Sequence, residues 1–186
     1  MNGGAPWLIR RLRQTDLAQF RELRLQALRL HPEAFGSSFE EEQGSDLAWM
    51  IGTPPNATWG GFVAGELAGT AALVVSGKRK QRHKGHVVGV YVAAPWRRAG
   101  LGQALLERLI QGARADGLVL LTLSVASGNA AARHLYLRMG FAIYGVEPLS
   151  LRVGGAFLDE ELMALRLDEP TSCGDSQVRH TVERLP

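Results

Sequence analysis

The stretch "PWRRAGLGQALLERL", Pro95 to Leu109, joins a run of small and β-branched apolar residues to a run with helical spacing. Two arginines and two glycines stand at this junction between a predicted strand and a predicted helix. The first turn of a helix has backbone N–H groups without internal acceptors and carries the positive end of the helix dipole. The junction therefore predicts a binding site for a phosphate group.

Two common phosphate-binding motifs do not fit this junction. A Walker loop needs Lys and then Ser or Thr after its last glycine, whereas Gly102 is followed by Gln103 and Ala104. The dinucleotide fingerprint needs a small residue where Leu105 stands, and it needs the first strand of a doubly wound parallel sheet. The strand here instead ends a predicted meander. The sequence therefore disfavours both a nucleoside triphosphatase and a dinucleotide-binding protein.

The composition is that of a globular domain. The chain has 186 residues, of which 46% are apolar and 21% charged, and its net charge of +3 weakly favours an anionic ligand. A single cysteine, Cys173, excludes an internal disulfide and a cysteine zinc cluster. With no signal-type segment or membrane span in the first thirty residues, we expect a soluble cytoplasmic protein that needs no metal and does not contact the membrane. We expect one domain over residues 1–168 and a flexible polar tail over residues 169–186.

Before the junction, periodicity predicts a strand, two helices and a meander. Trp7–Arg13 is the strand, and Thr15 and Asp16 precede a helix that ends at His31 and Pro32. A second helix is predicted from about Asp46 to Ile51, followed by a turn over residues 52–56. Three β-like runs with short or basic connections then predict three adjacent antiparallel strands: "TWGGFVA", "LAGTAALVV" and "GHVVGVYVA".

After the junction, the pattern predicts a βαβ crossover. The helix that starts at Leu101 ends at Gly117, and "LVLLTLSV" follows as a strand buried on both faces. Gly128 and Asn129 open another helix, which Gly140 ends, and "FAIYGV" and "LMALRL" are the last strands. The predicted fold class is α/β: a mixed sheet of about six to seven strands, an antiparallel meander and then the crossover, flanked by about four helices.

Two motifs in sequence order resemble those of the GNAT superfamily of acetyltransferases. Arg97-x-x-Gly100-x-Gly102 is similar to the superfamily's Q/R-x-x-G-x-G/A segment, and "NAAARHLYLRMGF", Asn129 to Phe141, is similar to its N-x-x-A-x-x-L-Y-x-x-x-G-F segment. The order of strands and helices is also similar to that of the superfamily. The resemblance implies an N-acetyltransferase that moves an acetyl group from acetyl-CoA to a primary amine.

The resemblance also implies which residues bind acetyl-CoA. The amides from Arg98 to Gln103 would form a nest for the diphosphate, and Arg97 or Arg98 is either a phosphate ligand or a solvated surface residue. A bulge in the preceding strand would hold the pantetheine amides and the thioester carbonyl. The predicted acetyl-CoA residues are Val90, Tyr91, Val92, Arg97, Arg98, Ala99, Gly100, Leu101, Gly102, Gln103 and Asn129.

Two side chains are candidates for the chemistry. Tyr136, at the edge of the apolar stripe of its helix, matches the tyrosine that the superfamily uses to protonate the leaving thiolate, and otherwise it is a core tyrosine. His86, on the strand face of Val88 and Val90, is a candidate general base or a solvated strand end. Members that acetylate ribosomal proteins have a glutamate where this chain has Ser124, which disfavours that subfamily. Water, Glu66 or Glu147 remain alternatives for the base.

Other functions and partners stay open at this stage. A catalytically degenerate domain could bind acetyl-CoA as a sensor, and the basic run Lys78–Lys84 could bind nucleic acid, although it lacks aromatic residues for base stacking. "FEEEQ" near Phe39 is either a solvated helix start or a rim that holds a cationic acceptor. The amine acceptor is unknown, and a homodimer is left open.

Overall fold

The structure, a computed structural model, describes residues 7–51 and 55–168. Residues 169–186, which hold the predicted tail and Cys173, and part of the predicted turn at residues 52–56 lie outside the described residues. The helices and strands, in chain order, are β1 Leu8–Arg11, α1 Leu17–Leu30, α2 Phe39–Glu42, β2 Ala57–Val63, β3 Glu66–Val75, β4 Lys84–Val92, α3 Leu101–Ala115, β5 Leu120–Ala126, α4 Ala130–Arg138, β6 Ala142–Val153 and β7 Ala156–Arg166.

The strands form one seven-stranded sheet in the order β1-β2-β3-β4-β5-β7-β6. Strands β2, β3 and β4 are the predicted antiparallel meander, and β4 pairs with β5 in parallel. The α3 helix connects these two parallel strands, so the predicted βαβ crossover is present. The mixed α/β fold class, with seven strands and four helices, is confirmed.

Each face of the sheet packs against its own helical layer. The apolar stripe of α3 is completely buried on one face, as its spacing predicts: Leu101, Leu105, Leu109 and Ala113 each have 0% exposure. On the other face, Phe20, Leu23 and Ala27 of α1 pack in a second cluster with Phe62 of β2 and Tyr91 of β4. No helix in residues 7–51 or 55–168 is long and apolar enough to cross a membrane.

The structure corrects three details of the predicted elements. The helix predicted from Asp46 to Ile51 is only a single 3₁₀ turn, Ala48–Met50, and the α-helical turn lies earlier, at α2, where Ser38 forms a capping box with Glu41. Strand β5 is not buried on both faces, because its side chains alternate between buried and half-buried. The final strands are longer than predicted, since they form one hairpin that turns at Gly154 and Gly155.

Candidate active site

The start of α3 presents an unbroken series of open backbone amides. Gly100 precedes the helix with φ of +95° and provides no side-chain cap. The first bond into the helix is donated by the amide of Ala104 to the carbonyl of Gly100, at 3.1 Å. Within the described part of the chain, no acceptor is bonded to the six amides from Arg98 to Gln103. Together with the helix dipole, they form a concave site for an anion.

The glycines keep this site accessible. Gly100 adopts a left-handed conformation that a side chain would strain. A Cβ at Gly102 would lie 3.4 Å from Leu135 Cδ2 and 3.6 Å from Val92 Cγ2, which are ordinary contacts. Gly102 therefore leaves room between β4 and α4 without being needed for close packing there.

The two arginines before α3 differ in their surroundings. Arg97 Nε donates to the carbonyl of Val92 at 2.8 Å, its Nη2 lies 2.9 Å from His31 Nε2, and its guanidinium lies 5.4 Å from the centre of the Tyr91 ring. Arg97 is therefore held against the end of β4. Arg98 has φ of +61° and is exposed, and no hydrogen bond links its guanidinium to the described residues. Arg98 is the freer of the two to meet a phosphate.

Strands β4 and β5 separate soon after they meet. Their pairing extends only over Lys84↔Leu120, Gly85↔Leu121 and His86↔Thr122. Beyond His86, β4 pairs only with β3, so the backbone groups on its β5 side are left without a strand partner. A gap opens between two strands of the same sheet.

A β-bulge lies in this unpaired part of β4. The register shifts between Thr70 and Ala72 of β3, Gly89 has φ of +60°, and Thr70 Oγ1 donates to the Gly89 carbonyl at 3.1 Å. The bulge corrects the predicted face of Val90. Val88 packs on the α1 side of the sheet, as expected for the face of His86, whereas Val90 packs on the α3 side because the extra residue reverses the alternation.

A cavity of 380 Å³ occupies the gap between the strands. Its wall contains residues from both faces of the sheet, such as Val88 on the α1 side and Tyr136 on the α3 side. The cavity therefore passes between β4 and β5. Predicted site residues in its wall are His86, Val90, Asn129 and Tyr136.

Tyr136 is the buried residue of α4, with 7% exposure, and not a residue at the edge of the stripe. Leu135 and Met139, whose helical spacing with Ala132 predicts a core-facing stripe, pack against the core but are only half-buried. The Tyr136 hydroxyl has no hydrogen-bond partner in the described part of the chain. Every fully buried polar side-chain atom there has a partner, so this hydroxyl is not fully buried and reaches the cavity. Burial raises the pKa of Tyr136 well above its usual value near 10, which keeps the phenol protonated.

His86 lies at the cavity wall with one ring nitrogen already engaged. Its Nδ1 is 3.0 Å from Thr122 Oγ1, and that hydroxyl donates to the Gly85 carbonyl at 3.4 Å. Thr122 Oγ1 thus accepts from Nδ1–H, which leaves Nε2 free to accept a proton. Desolvation lowers the pKa of His86 below 6.5, while the charge of Glu160 acts in the opposite direction. The imidazole is therefore neutral at pH 7.

Glu160 is a cavity residue that the sequence did not single out. Strand β7 inserts between β5 and β6 and brings this carboxylate beside β5. Ser124 Oγ donates to Glu160 Oε1 at 3.0 Å, and Ser150 Oγ donates to Oε2 at 2.7 Å. No local motif marks Glu160, because its position depends on strand order. Ser124, noted as a departure from one subfamily, is its partner.

Asn129 starts α4 as a cap. Its Oδ1 accepts a hydrogen bond from the Ala132 amide at 3.2 Å, as the residue type predicts. This hydrogen bond orients the side-chain amide of Asn129, which also lies in the cavity wall.

An ion pair between α1 and α2 forms another part of the cavity wall. Arg24 Nε and Nη2 donate to the two oxygens of Glu42 at 2.8 and 2.6 Å, and the side chains are 9% and 12% exposed. Arg24 and Ser37 lower the pKa of Glu42 against the effect of burial. Glu42 belongs to the "FEEEQ" stretch, which is a helix start as one alternative expected, but this carboxylate is turned toward the cavity.

Other sequence candidates lie away from the cavity. Glu66 and Glu147 are exposed on β3 and β6 and do not line it. The basic run Lys78–Lys84 leads into the first residue of β4, at the end of that strand opposite to the bulge, and is mostly exposed. No group of three or more potential metal ligands occurs in residues 7–51 and 55–168.

Comparisons with known proteins agree with this geometry. A sequence profile described as the acetyltransferase (GNAT) family matches residues 22–141. An L-methionine sulfoximine/L-methionine sulfone acetyltransferase of Pseudomonas aeruginosa is 43% identical over 83 residues, 45% of this chain and 48% of the relative. The L-amino acid N-acyltransferase MnaT of Escherichia coli is 38% identical over 82 residues, 44% of this chain and 48% of the relative. These matches span about half the length of the curated relatives.

Solved structures show the same fold over nearly the whole described chain. A GNAT-family acetyltransferase from Streptococcus pneumoniae superposes with a TM-score of 0.76 at 27% identity, over 86% of this chain and 99% of that one. A putative acetyltransferase from Salmonella typhimurium, solved with its cofactor acetyl-CoA, has a TM-score of 0.73 at 24% identity, over 91% of this chain and 99% of that one.

Proposed function

This chain belongs to the acetyltransferase (GNAT) family, and we propose on that premise that it transfers an acetyl group from acetyl-CoA to a primary amine. One observation carries the proposal. The unpaired edge of β4 and the buried phenol of Tyr136 border one cavity through the sheet, and the open amides at the start of α3 follow the end of β4, where Gly102 lies beside Val92 and Leu135. An anion site thus lies next to a cavity of the size expected for a small-molecule site.

The start of α3 fits the diphosphate of acetyl-CoA. Six consecutive amides, from Arg98 to Gln103, have no acceptor among the described residues and supply the donors, and Gly100 and Gly102 let a ligand approach the backbone. The exposed guanidinium of Arg98 adds charge, while Arg97 supports the end of β4. The bulge region of Val90, Tyr91 and Val92 would bind the pantetheine arm and the thioester oxygen through backbone groups.

In the proposed reaction, acetyl-CoA supplies an activated acetyl group to the acceptor amine. The amine nitrogen forms a bond to the carbonyl carbon, and the carbon–sulfur bond breaks. Tyr136 would give its proton to the departing thiolate, because burial keeps the phenol protonated and its hydroxyl faces the cavity. The phenolate would regain a proton from the nitrogen, which loses one as the amide forms.

An alkylammonium with a pKa near 10 must lose a proton before it attacks. His86 Nε2 is the base that we propose, because the ring is neutral and its Nδ1 is engaged by Thr122. Glu160, which faces the same cavity, would stabilise the imidazolium that forms. A water molecule would connect the base to an amine that does not reach it directly.

The acceptor is proposed as a small molecule or a peptide with a primary amine. The names of the relatives given above state that they act on methionine sulfoximine, methionine sulfone and L-amino acids.

The cytoplasmic location and the homodimer remain predictions. For the region beyond the described residues, we propose that transfer does not need the tail, so truncation after Glu169 is expected to leave the rate unchanged in a thiol-release assay.

The experiment that tests the function combines binding with turnover. Calorimetry should show one acetyl-CoA per chain, and a screen of amines, polyamines, aminoglycosides, amino acids and peptides should release free thiol together with an acetylated product seen by mass spectrometry. Binding without transfer to any amine would contradict the enzyme and favour the sensor. No binding would overturn the proposal altogether.

A further inference from the structure

The ion pair of Arg24 and Glu42 leaves one donor group unused. Nε and Nη2 of the Arg24 guanidinium donate to the two carboxylate oxygens of Glu42. Arg24 Nη1 has no acceptor in the described part of the chain, although the side chain is 9% exposed. Every fully buried polar side-chain atom there has a partner, so Nη1 is not fully buried. Because Arg24 is in the cavity wall, we place Nη1 at the border of the cavity space.

A second ion pair in the same molecule engages its arginine through the two Nη groups. Arg10 donates to both oxygens of Asp16, and its Nη1 also donates to the Arg11 carbonyl. Asp16 Oδ2 accepts in addition from the Arg13 amide. This pair stabilises the turn before α1, and both of its arginine Nη groups are used. The pair at the cavity differs, because Glu42 engages Nε and Nη2 of Arg24 and leaves Nη1 free.

The free nitrogen lies beside the β4 bulge. A Cβ built on Gly89 would be 4.0 Å from Arg24 Nη1 and 3.9 Å from Met50 Cε. The bulge is where the proposed function places the thioester. A ligand group bound by Nη1 therefore lies close to the amine that attacks. Because Glu42 holds the guanidinium in place, Arg24 is preorganised for an anionic group.

We infer that Arg24 Nη1 binds the carboxylate of the acceptor, and that the acceptor is a free α-amino acid. The inference rests on the proposed function. In an α-amino acid the amine and the carboxylate are attached to the same carbon, which matches a donor directly beside the bulge. A peptide N-terminus or a simple amine has no carboxylate at this position. Such acceptors leave the Nη1 donors of Arg24 without an anionic partner in the cavity.

The wall around the ion pair favours an apolar side chain on this amino acid. The guanidinium of Arg24 stacks 4.8 Å from the centre of the Phe35 ring. Trp49 and Met50 line the same cavity, and Trp49 is 52% exposed. These residues offer apolar surface that an aliphatic or aromatic side chain can cover.

The test compares acceptors that differ only at the carboxylate: leucine, leucinamide and isopentylamine, and in parallel phenylalanine, phenylalaninamide and phenethylamine. For the unmodified protein we expect kcat/KM to be about a hundredfold higher for the amino acid than for its amide or its decarboxylated amine. The double variant Arg24→Gln/Glu42→Gln removes both charges together. It is expected to lose this preference while it binds acetyl-CoA with unchanged affinity by calorimetry.

Arg21→Gln is the matched control. Arg21 lies one turn earlier on α1 and donates to the carbonyls of Gln43 and Ser45, so it holds the same segment without reaching the cavity. The control is expected to keep the preference for the amino acid.

Three results would overturn the inference. Equal kcat/KM for amino acid, amide and amine in the unmodified protein would show that no carboxylate is bound. An equal fall with all three acceptors in the double variant would show that Arg24 acts on the thioester or only on packing. Transfer to other amines in the wider screen without transfer to any amino acid would remove this substrate class and leave the proposed function intact. Failure of the wider screen with every amine would instead end the proposed function.

Discussion

Helix α3 begins just after the end of β4 and helix α4 begins at the cavity wall, and their first amides differ in whether the chain itself satisfies them. At α4, Asn129 Oδ1 accepts from the Ala132 amide, so the chain satisfies part of its own helix start. At α3, Gly100 offers no side chain, and the amides from Arg98 to Gln103 remain open. A helix start that the protein caps serves stability, and one that it leaves open is available to a ligand.

The two helices have different roles in the proposed site. The α3 helix would bind the donor through backbone groups at its start, whereas α4 contributes Tyr136, which follows its capped start by less than two turns. Variants at α3 should consequently change acetyl-CoA affinity, and variants at Tyr136 should change the rate of transfer.

The largest effect is expected for Gly102→Val. The branched side chain would fill the space between Val92 and Leu135 and crowd the open amides, so acetyl-CoA affinity should fall by a few kcal/mol or more, about a hundredfold at least. Calorimetry measures this effect, with Gly44→Val as the control, because a Cβ at Gly44 meets nothing within 4 Å. Unchanged affinity in a folded Gly102→Val protein would remove the start of α3 from the site.

Tyr136→Phe should reduce turnover about a hundredfold, with little change in acetyl-CoA affinity or melting temperature. The variant keeps the ring, which packs 6.0 Å from Phe141, and removes only the hydroxyl that faces the cavity. Steady-state kinetics with a saturating donor separates the two quantities. A variant with near-normal turnover would leave Tyr136 as a packing residue and assign the proton to water.

The pH dependence should locate the base. The pKa of His86 is lowered below 6.5, so its neutral, proton-accepting form is lost as the pH falls through that lowered pKa. With a basic amine that binds as the ammonium, log(kcat/KM) should rise with pH at a slope of about 1 below this pKa and level off above it. His86→Gln should lose this change of slope, at a lower rate. An unchanged profile in the variant would exclude His86 as the base.

The smallest effect is expected at the capped helix. Asn129→Ala removes the acceptor for the Ala132 amide and should lower the free energy of unfolding by about 1 kcal/mol. Asn129→Asp retains an acceptor and should restore most of this stability, as denaturant titration would show. If Asn129→Ala weakened acetyl-CoA binding as much as Gly102→Val does, the contrast between the two helix starts would be false.

Features that depend on local sequence were predictable. Gly100 and Gly102 mark the open helix start, Asn129 marks the capped one, and the leucine spacing of α3 predicts a stripe that is fully buried. Each depends on residues within one or two helical turns, so that a short window contains the whole signal.

Features that depend on long-range packing were not predictable from such windows. The bulge at Gly89 moves Val90 to the opposite face, and only the pairing with β3 reveals it. Glu160 reaches the cavity because β7 inserts between β5 and β6. Arg24 and Glu42 are 18 residues apart and meet only when α1 and α2 fold together.

The most direct test of the central claim is an amide NMR titration of the ¹⁵N-labelled protein with acetyl-CoA. We expect the N–H signals from Arg98 to Gln103 to shift strongly, since these open amides acquire phosphate acceptors, while the Ala132 amide, already bonded to Asn129, shifts much less. Saturable binding that leaves the signals of Arg98 to Gln103 unchanged would contradict the assignment of the donor site to the start of α3.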